Sequence, residues 1–411
     1  MKQSIEKDKV YIFGLICLMI LFTDFFQFHP LLEFFNKVRM IIILPLFYFC
    51  YRPFIEEKGG FSFPLRLIIF SILFSFVTVY YSWHQSLWAT FNSITFYLGF
   101  IVYFYLIRTE ISIEKIEKTM LFFSLLYVIL YFFQFLNPDT VFFGAWSQLY
   151  TVRGITRIIF AGEGFLFFAI CYYTCKVFNN EFWKIRDALY LSVLLIVMFM
   201  QVTRQYIMAV GIVILLQILR KSKIYIKIFA IVAVIMAFNI YQYSSNPMIS
   251  GLRNAQESDM ELAEDYIRVL AANYFLFEMA PNTLSTIFGN GVPGFGSTYG
   301  DFYNNEVIDD FGFYFVDVGM IGGYAIFGIL FVIGYLLIGY KTYRLKGDDD
   351  SLYLKYYILI IFIMSLTSSS VIGSGYILPT GIVLYLLYKK SEEIKYEEEI
   401  EYENGEISGH D

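Results

Sequence analysis

Histidine and cysteine are almost absent from this chain. Only His29, His84 and His410 occur in 411 residues, and no group has the spacing of a zinc site. The four cysteines, Cys17, Cys50, Cys171 and Cys175, all fall inside apolar runs, so no disulfide framework is expected. Cys171 and Cys175 share a helix face, but without a histidine nearby they read as small buried hydrophobes. Walker motifs and nucleophile elbows are missing as well. The stretch GNGVPGFG, Gly289 to Gly296, has the spacing G-x-G-x-x-G, yet no strand precedes it and Pro293 sits inside it, which excludes a dinucleotide site. No metal, cofactor or nucleic-acid partner is expected. Internal repeats are missing, and so are the alternating segments of about 10 residues that a membrane barrel would need.

What is present is apolar mass. Hydrophobic residues make up 58% of the chain and aromatics 21%, figures that point to lipid as the solvent for most of it. Backbone polar groups cannot stay unpaired in hydrocarbon, so the apolar runs, near the ~20 residues a crossing requires, must be helices. Spans are expected near 10–28, 31–51, 63–82, 87–107, 119–136, 156–175, 187–202, 205–219, 224–241, 313–339, 352–372 and 375–388. The expected fold is an all-α integral membrane protein of about twelve transmembrane helices, nine within 1–240 and three within 313–390. A large extracytoplasmic loop occupies 241–312 and an acidic cytoplasmic tail 391–411. That tail holds nine carboxylates and one lysine, a net −8, which leaves +2 for the rest of a chain whose formal charge is −6. The tail reads as solvated and dispensable for catalysis.

Positive residues stay in the cytoplasm, so their distribution gives the orientation. With both termini inside, 23 of the 30 Lys and Arg are cytoplasmic and seven are not. The seven outer ones are Lys37, Arg39, Arg153, Arg157, Arg204, Arg253 and Arg268. Interfacial snorkelling or a local acid accounts for Lys37, Arg39 and Arg253; Arg268 has Glu264 four residues earlier, the spacing of a helix-surface ion pair. Arg153, Arg157 and Arg204 read more readily as ligands, because a guanidinium fork matches phosphate oxygens in pairs. In the large loop, Ser258 and Glu261 form a capping box. Ala263, Ile267, Leu270, Tyr274 and Phe277 then share one face until Pro281, which marks an amphipathic helix. Acids on the outer side are Asp24, Glu163, Glu306, Asp309, Asp310 and Asp317. Glu163 falls within a span and is either an arginine partner or a proton carrier. Asp24 is equally a helix end, and Asp309 with Asp310 is either a general base or a helix cap.

Four features together resemble a family, the bacterial polysaccharide polymerases of the Wzy type, related to the O-antigen ligases. They are the span count, the late outer loop, the TRQ segment Thr203 to Gln205 in a tight hairpin, and the glycine-rich turn followed by VDVGMIGGYAIFGIL, Asp317 to Leu330. YTVRGITR, Tyr150 to Arg157, is similar to that family's arginine-bearing approach to a mid-chain span. The resemblance covers roughly 120–340. It departs from the ligases, which carry a loop histidine where this chain has YNNEVIDDFG. It implies a glycosyltransferase that joins polyprenyl-diphosphate-linked oligosaccharide repeat units on the outer face of the bacterial cytoplasmic membrane. Arg153, Arg157, Arg204 and Arg268 would meet the diphosphate, and Asp309, Asp310 or Glu306 would take the acceptor's proton. Glu163 and Asp317 are further polar candidates, loop tyrosines such as Tyr266, Tyr274, Tyr299 and Tyr303 would stack on sugars, and a chain-length regulator is a further expected partner. A ligase, and a flippase running on Asp24, Glu163 and Arg204, are the rival readings.

Overall fold

The computed structural model describes residues 2–144, 150–152, 155–179, 184–221, 223–245, 250–251, 253 and 266–407. Among the described residues the regular structure is helical apart from one small hairpin, Tyr150–Val152 paired antiparallel with Ile155–Arg157, in which Tyr150 stands opposite Arg157. Three helical stretches among the described residues are long and apolar enough to cross a membrane: His29–Glu56, Ser62–Trp83 and Ile113–Leu136. Leu87–Ile94 and Tyr97–Thr109, bent by 58°, make a fourth if they are counted as one. Their outward faces stay apolar: Ile41, Leu44 and Tyr48 on the first, and Phe122, Leu125, Ile129 and Phe133 on the third, are exposed side chains at helical spacing. Such faces suit lipid rather than water.

The other expected spans also fall on helices, with informative differences. Span 156–175 becomes Glu163–Asn179, because Gly162 adopts φ +123° and starts the helix late; Arg157 is left in the hairpin and Glu163 becomes the first helical residue. Span 313–339 is two helices, Met320–Phe327 and Ile329–Arg344, broken at Gly328 with φ +76°. A side chain at Gly328 would overlap the backbone of Phe288, so the break is where the glycine-rich loop passes through. The near-continuous pair 187–219 divides as expected, into Ile185–Met200 and Arg204–Lys221. The last expected span runs on into the acidic tail: Ser374–Ile407 is one helix of 34 residues. Of the expected amphipathic helix, Ser258, Glu261, Ala263 and Glu264 lie outside the described residues, and the remainder is Ile267–Asn273 continued by a π-helical turn, Tyr274–Glu278.

Glu163–Asn179 is the centre of the bundle. It packs against Ile113–Leu136, Ile185–Met200, Leu352–Met364, Arg204–Lys221 and Ser374–Ile407. Every residue from Glu163 to Cys171 is buried, the signature of a helix apolar all round and enclosed by others. Gly164 makes the tightest of these contacts possible, since a Cβ there would meet the carbonyl of Gly375 and the ring of Pro379. Small residues in AGEG and GSG thus let two helices touch at their first turns.

Candidate functional site

That touching point opens into a cavity of about 350 Å³, within the ~300–1,000 Å³ of small-ligand sites. Its wall is built from the beginnings of helices. Glu163 opens one, Thr203, Gln205 and Tyr206 lie at the start of another, and Gly373 to Tyr376 at the start of a third, and all of these residues line the cavity. The first turns of a helix carry unpaired N–H groups and the positive end of the helix dipole; the start at Glu163 is covered by its own carboxylate, and the starts at Thr203 and Gly373 favour an anion. Arg157 and Arg268 line the same space, joined by Asp317 and by the hydroxyl-rich segment Thr367, Ser368 and Ser369.

Each charged group is held by identifiable bonds. Arg157 donates from Nε to the carbonyl of Gln201 at 3.2 Å and from Nη2 to Thr203 Oγ1 at 3.2 Å, so the turn between two helices aims it. Arg268 donates from Nη1 to the carbonyl of Thr367 at 3.4 Å, tying the loop helix to the serine segment. Gln205 reaches the same carbonyl at 3.5 Å. Glu163 is 5% exposed, and its carboxylate accepts from its own N–H and that of Gly162. Behind it Tyr376 donates to Tyr206 Oη at 2.7 Å. Asp317 precedes Gly319, whose φ of +55° puts it where a Cβ would overlap the Ser365 carbonyl, and Met320 N–H donates to that carbonyl at 2.7 Å. The acid-x-Gly turn is therefore fixed in place against the serine segment.

Backbone strain gathers at this cavity. Asp24, Phe25, Phe26 and Gln27 form a left-handed turn, with φ between +47° and +61° and no glycine among them. Each such residue costs about 1–2 kcal/mol, so the run persists only because its surroundings hold it. Thr23 Oγ1 accepts from Phe26 N–H at 3.3 Å, Arg39 pairs with Asp24, and Gln27 Oε1 accepts from Ala161 N–H at 3.0 Å. Gln27 lines the cavity. Val202, with φ +51°, is a second strained residue beside it.

The sequence candidates separate accordingly. Arg157, Arg268, Glu163 and Asp317 come together in the cavity. Arg204 is the first residue of its helix, flanked by the cavity residues Thr203 and Gln205, and is not itself in the lining. Arg153 lies outside the described residues. Glu306, Asp309 and Asp310 belong to a π-helical turn, Tyr303–Asp310, are exposed, and are not among the cavity's lining residues. Asp309 and Asp310 do not cap the next long helix either, whose N-cap is Gly319. Tyr274 packs on Phe311 and Phe313 of its own segment, and Tyr299 on Trp83 at the end of Ser62–Trp83, so both rings are already occupied by the protein. Sequence reasoning passed over Gln27, Tyr206, Tyr376 and the segment from Thr367 to Gly375. The available signal was TSSSVIGSG, a run of small polar residues between two apolar helices. Among the described residues no group of His, Cys, Asp or Glu has the arrangement of a metal site. The chain matches no protein-family model and no curated protein.

Proposed function

We propose that this is a membrane-embedded transferase acting on a substrate with a lipid-linked diphosphate. More particularly, we read it as a polymerase that joins polyprenyl-diphosphate-linked oligosaccharide repeat units into surface polysaccharide. It would cross the bacterial cytoplasmic membrane about twelve times, with the cavity on the outer side. The observation that carries the reading is the convergence of Arg157, Arg268 and the helix starts at Thr203 and Gly373 on one cavity. When an acceptor hydroxyl attacks the anomeric carbon, the bond from that carbon to the diphosphate oxygen breaks and the lipid diphosphate leaves with the electron pair. Its growing negative charge is met by groups already in place, which is how fixed dipoles lower a barrier without a metal. The hydroxyl proton goes to a carboxylate. Asp317 is the base in this reading, because it is only partly buried at the cavity edge, whereas the Glu163 carboxylate is engaged with backbone N–H groups.

A flippase is the second reading, favoured by the two broken helices at Thr95–Phe96 and at Gly328, since transporters bind anions at half-helix N-termini. Its polar pathway loses one member, because Asp24 is bound by Arg39.

Both readings meet one experiment. Cells lacking the chain are complemented with wild type, Arg157→Ala or Asp317→Asn, membrane levels are matched by immunoblot, and surface polysaccharide is sized. The polymerase reading expects a ladder from wild type and single repeat units on the lipid carrier at the outer leaflet from either variant. An unchanged ladder from both variants sinks it, and repeat units trapped on the cytoplasmic leaflet transfer the assignment to the flippase.

A further inference from the structure

Beside the cavity lies a second cleft of about 330 Å³, and the two share Tyr97, Val316 and Ile372 as a common wall. Among the described residues no charged side chain lines this second cleft. Its floor and rim come from the glycine-rich turn whose dinucleotide spacing was discounted above, with Pro293 and Phe295 on one side and Tyr303 and Asn304 on the other.

The turn is built to be rigid. Gln85 is 1% exposed, and both ends of its amide are used on this segment: Oε1 accepts from Gly294 N–H and Ser297 Oγ, each at 2.8 Å, while Nε2 donates to the Val292 carbonyl at 3.1 Å. Asn290, equally buried, donates from Nδ2 to the Ala325 carbonyl at 3.1 Å and accepts from Trp83 Nε1 at 3.2 Å. Trp83 in turn stacks on Tyr299 with ring centres 4.4 Å apart. Glycine is required where the strands of the turn cross, since a Cβ at Gly300 would overlap the Gly294 carbonyl. Burial holds the Tyr303 hydroxyl well above its usual range, so it stays protonated, and Phe315 N–H donates to its oxygen at 3.1 Å. Out of this fixed frame Phe295 projects with 96% of its surface exposed.

We infer that this cleft is a saccharide subsite, in which Phe295 offers its ring to the apolar face of a pyranose and Asn304 its amide to the hydroxyls. The inference rests on the polymerase reading only for its biological role. The chemistry comes from the cleft: uncharged, aromatic-edged, with an exposed amide, and continuous with an anion-binding cavity through a shared wall. A diphosphate in the first cavity puts the attached sugar, or the acceptor about to displace it, at the entrance of the second. A neutral ring with one apolar face is what an uncharged cleft with an unpacked aromatic can hold, as a planar ring surface gives contact area at little cost in freedom.

The probe is the oligosaccharide released by mild acid from the polysaccharide of the cells that carry this chain, freed of lipid and phosphate. Saturation-transfer NMR is recorded on the full chain in detergent, for wild type, Phe295→Ala, Asn304→Ala and Arg157→Ala. Wild type and Arg157→Ala are expected to transfer saturation to the sugar ring protons, and Phe295→Ala to bind about five-fold more weakly, the worth of one lost ring contact. No transfer in wild type, or equal transfer in Phe295→Ala, overturns the subsite. A second measurement tests the lipid alternative: Phe295→Trp in nanodiscs containing brominated-chain phospholipid. Unquenched fluorescence that the oligosaccharide shifts supports the subsite, whereas quenching by the brominated chains overturns it. Failure of the polymerase reading shows instead as an unchanged polysaccharide ladder in both Arg157→Ala and Asp317→Asn, and leaves the binding result standing.

Discussion

At the scale of single residues, the contact that shapes the cavity is between Glu163 and Gly375. The backbone of Gly375 is compatible with any residue, but a Cβ there would overlap Glu163 Oε2 and approach the Gly162 nitrogen to 2.9 Å. Gly375→Ala therefore tests how closely the two helix starts approach. Overpacking of this kind costs about 1–3 kcal/mol. The expected outcome is a lower melting temperature in detergent together with loss of the polysaccharide ladder. Glu163→Ala in the same chain removes the clashing carboxylate but not the approach to the Gly162 nitrogen, and should recover part of the melting temperature without recovering the ladder. A melting temperature unchanged by Gly375→Ala would mean that the two helix starts are not in contact. The site was half legible at this scale. Arg157 and Glu163 stand out in the sequence because a charge amid apolar residues needs a reason. Gln27 and the serines of TSSSVIGSG do not, since small polar residues become a site only when three distant helix starts are brought to the same place. Glu306, Asp309 and Asp310 attracted attention through their density of charge, which on an exposed turn needs no partner.

At the scale of elements, apolar runs announced where helices would be, and one-dimensional reasoning failed where glycine changes the local geometry. Gly162 delays a helix and leaves Arg157 in a hairpin; Gly328 splits another so that Phe288 can pass. Neither is visible as a break in hydropathy. The tail's charges keep it in water but do not prevent helicity, and Ser374–Ile407 continues into them as one helix. Its attachments to the bundle differ along its length. Lys390 pairs with Glu117 at 2.8 Å, both largely shielded, and Ser391 is buried, whereas Lys346 with Glu398 at 2.6 Å is an exposed pair. Exposed pairs are worth roughly 0–1 kcal/mol. Among the described residues, a chain truncated after Ser391 keeps the shielded pair and loses two others, Lys346 with Glu398 and the half-exposed Lys389 with Glu392. It is expected to assemble at wild-type levels and to make an unaltered polysaccharide ladder, and a shortened ladder at equal protein level would give the acidic extension a role in chain growth.

At the scale of the whole molecule, one helix relates the cavity to the tail. Ser374–Ile407 begins in the cavity wall and has 34 residues, which at ~1.5 Å per residue makes it about 50 Å long. The hydrocarbon core of a bilayer is about 30 Å thick, so a helix of this length lying across it would put the cavity and the acidic end on opposite sides. On the topology expected from the sequence, the 23 to seven division of basic residues would put the acidic end in the cytoplasm. Both statements can be tested together by placing a single new cysteine at an exposed position on either side, Asp301→Cys in the loop beside the cavity or Glu398→Cys in the tail. The native thiols interfere little, because Cys50, Cys171 and Cys175 are buried and Cys17 is partly so. A membrane-impermeant maleimide added to intact spheroplasts should label Asp301→Cys and spare Glu398→Cys until the membrane is opened. Labelling of both from outside would mean that the long helix does not cross. The reverse pattern would place the cavity in the cytoplasm, where lipid-linked repeat units are built rather than joined, and the polymerase reading would fall with it.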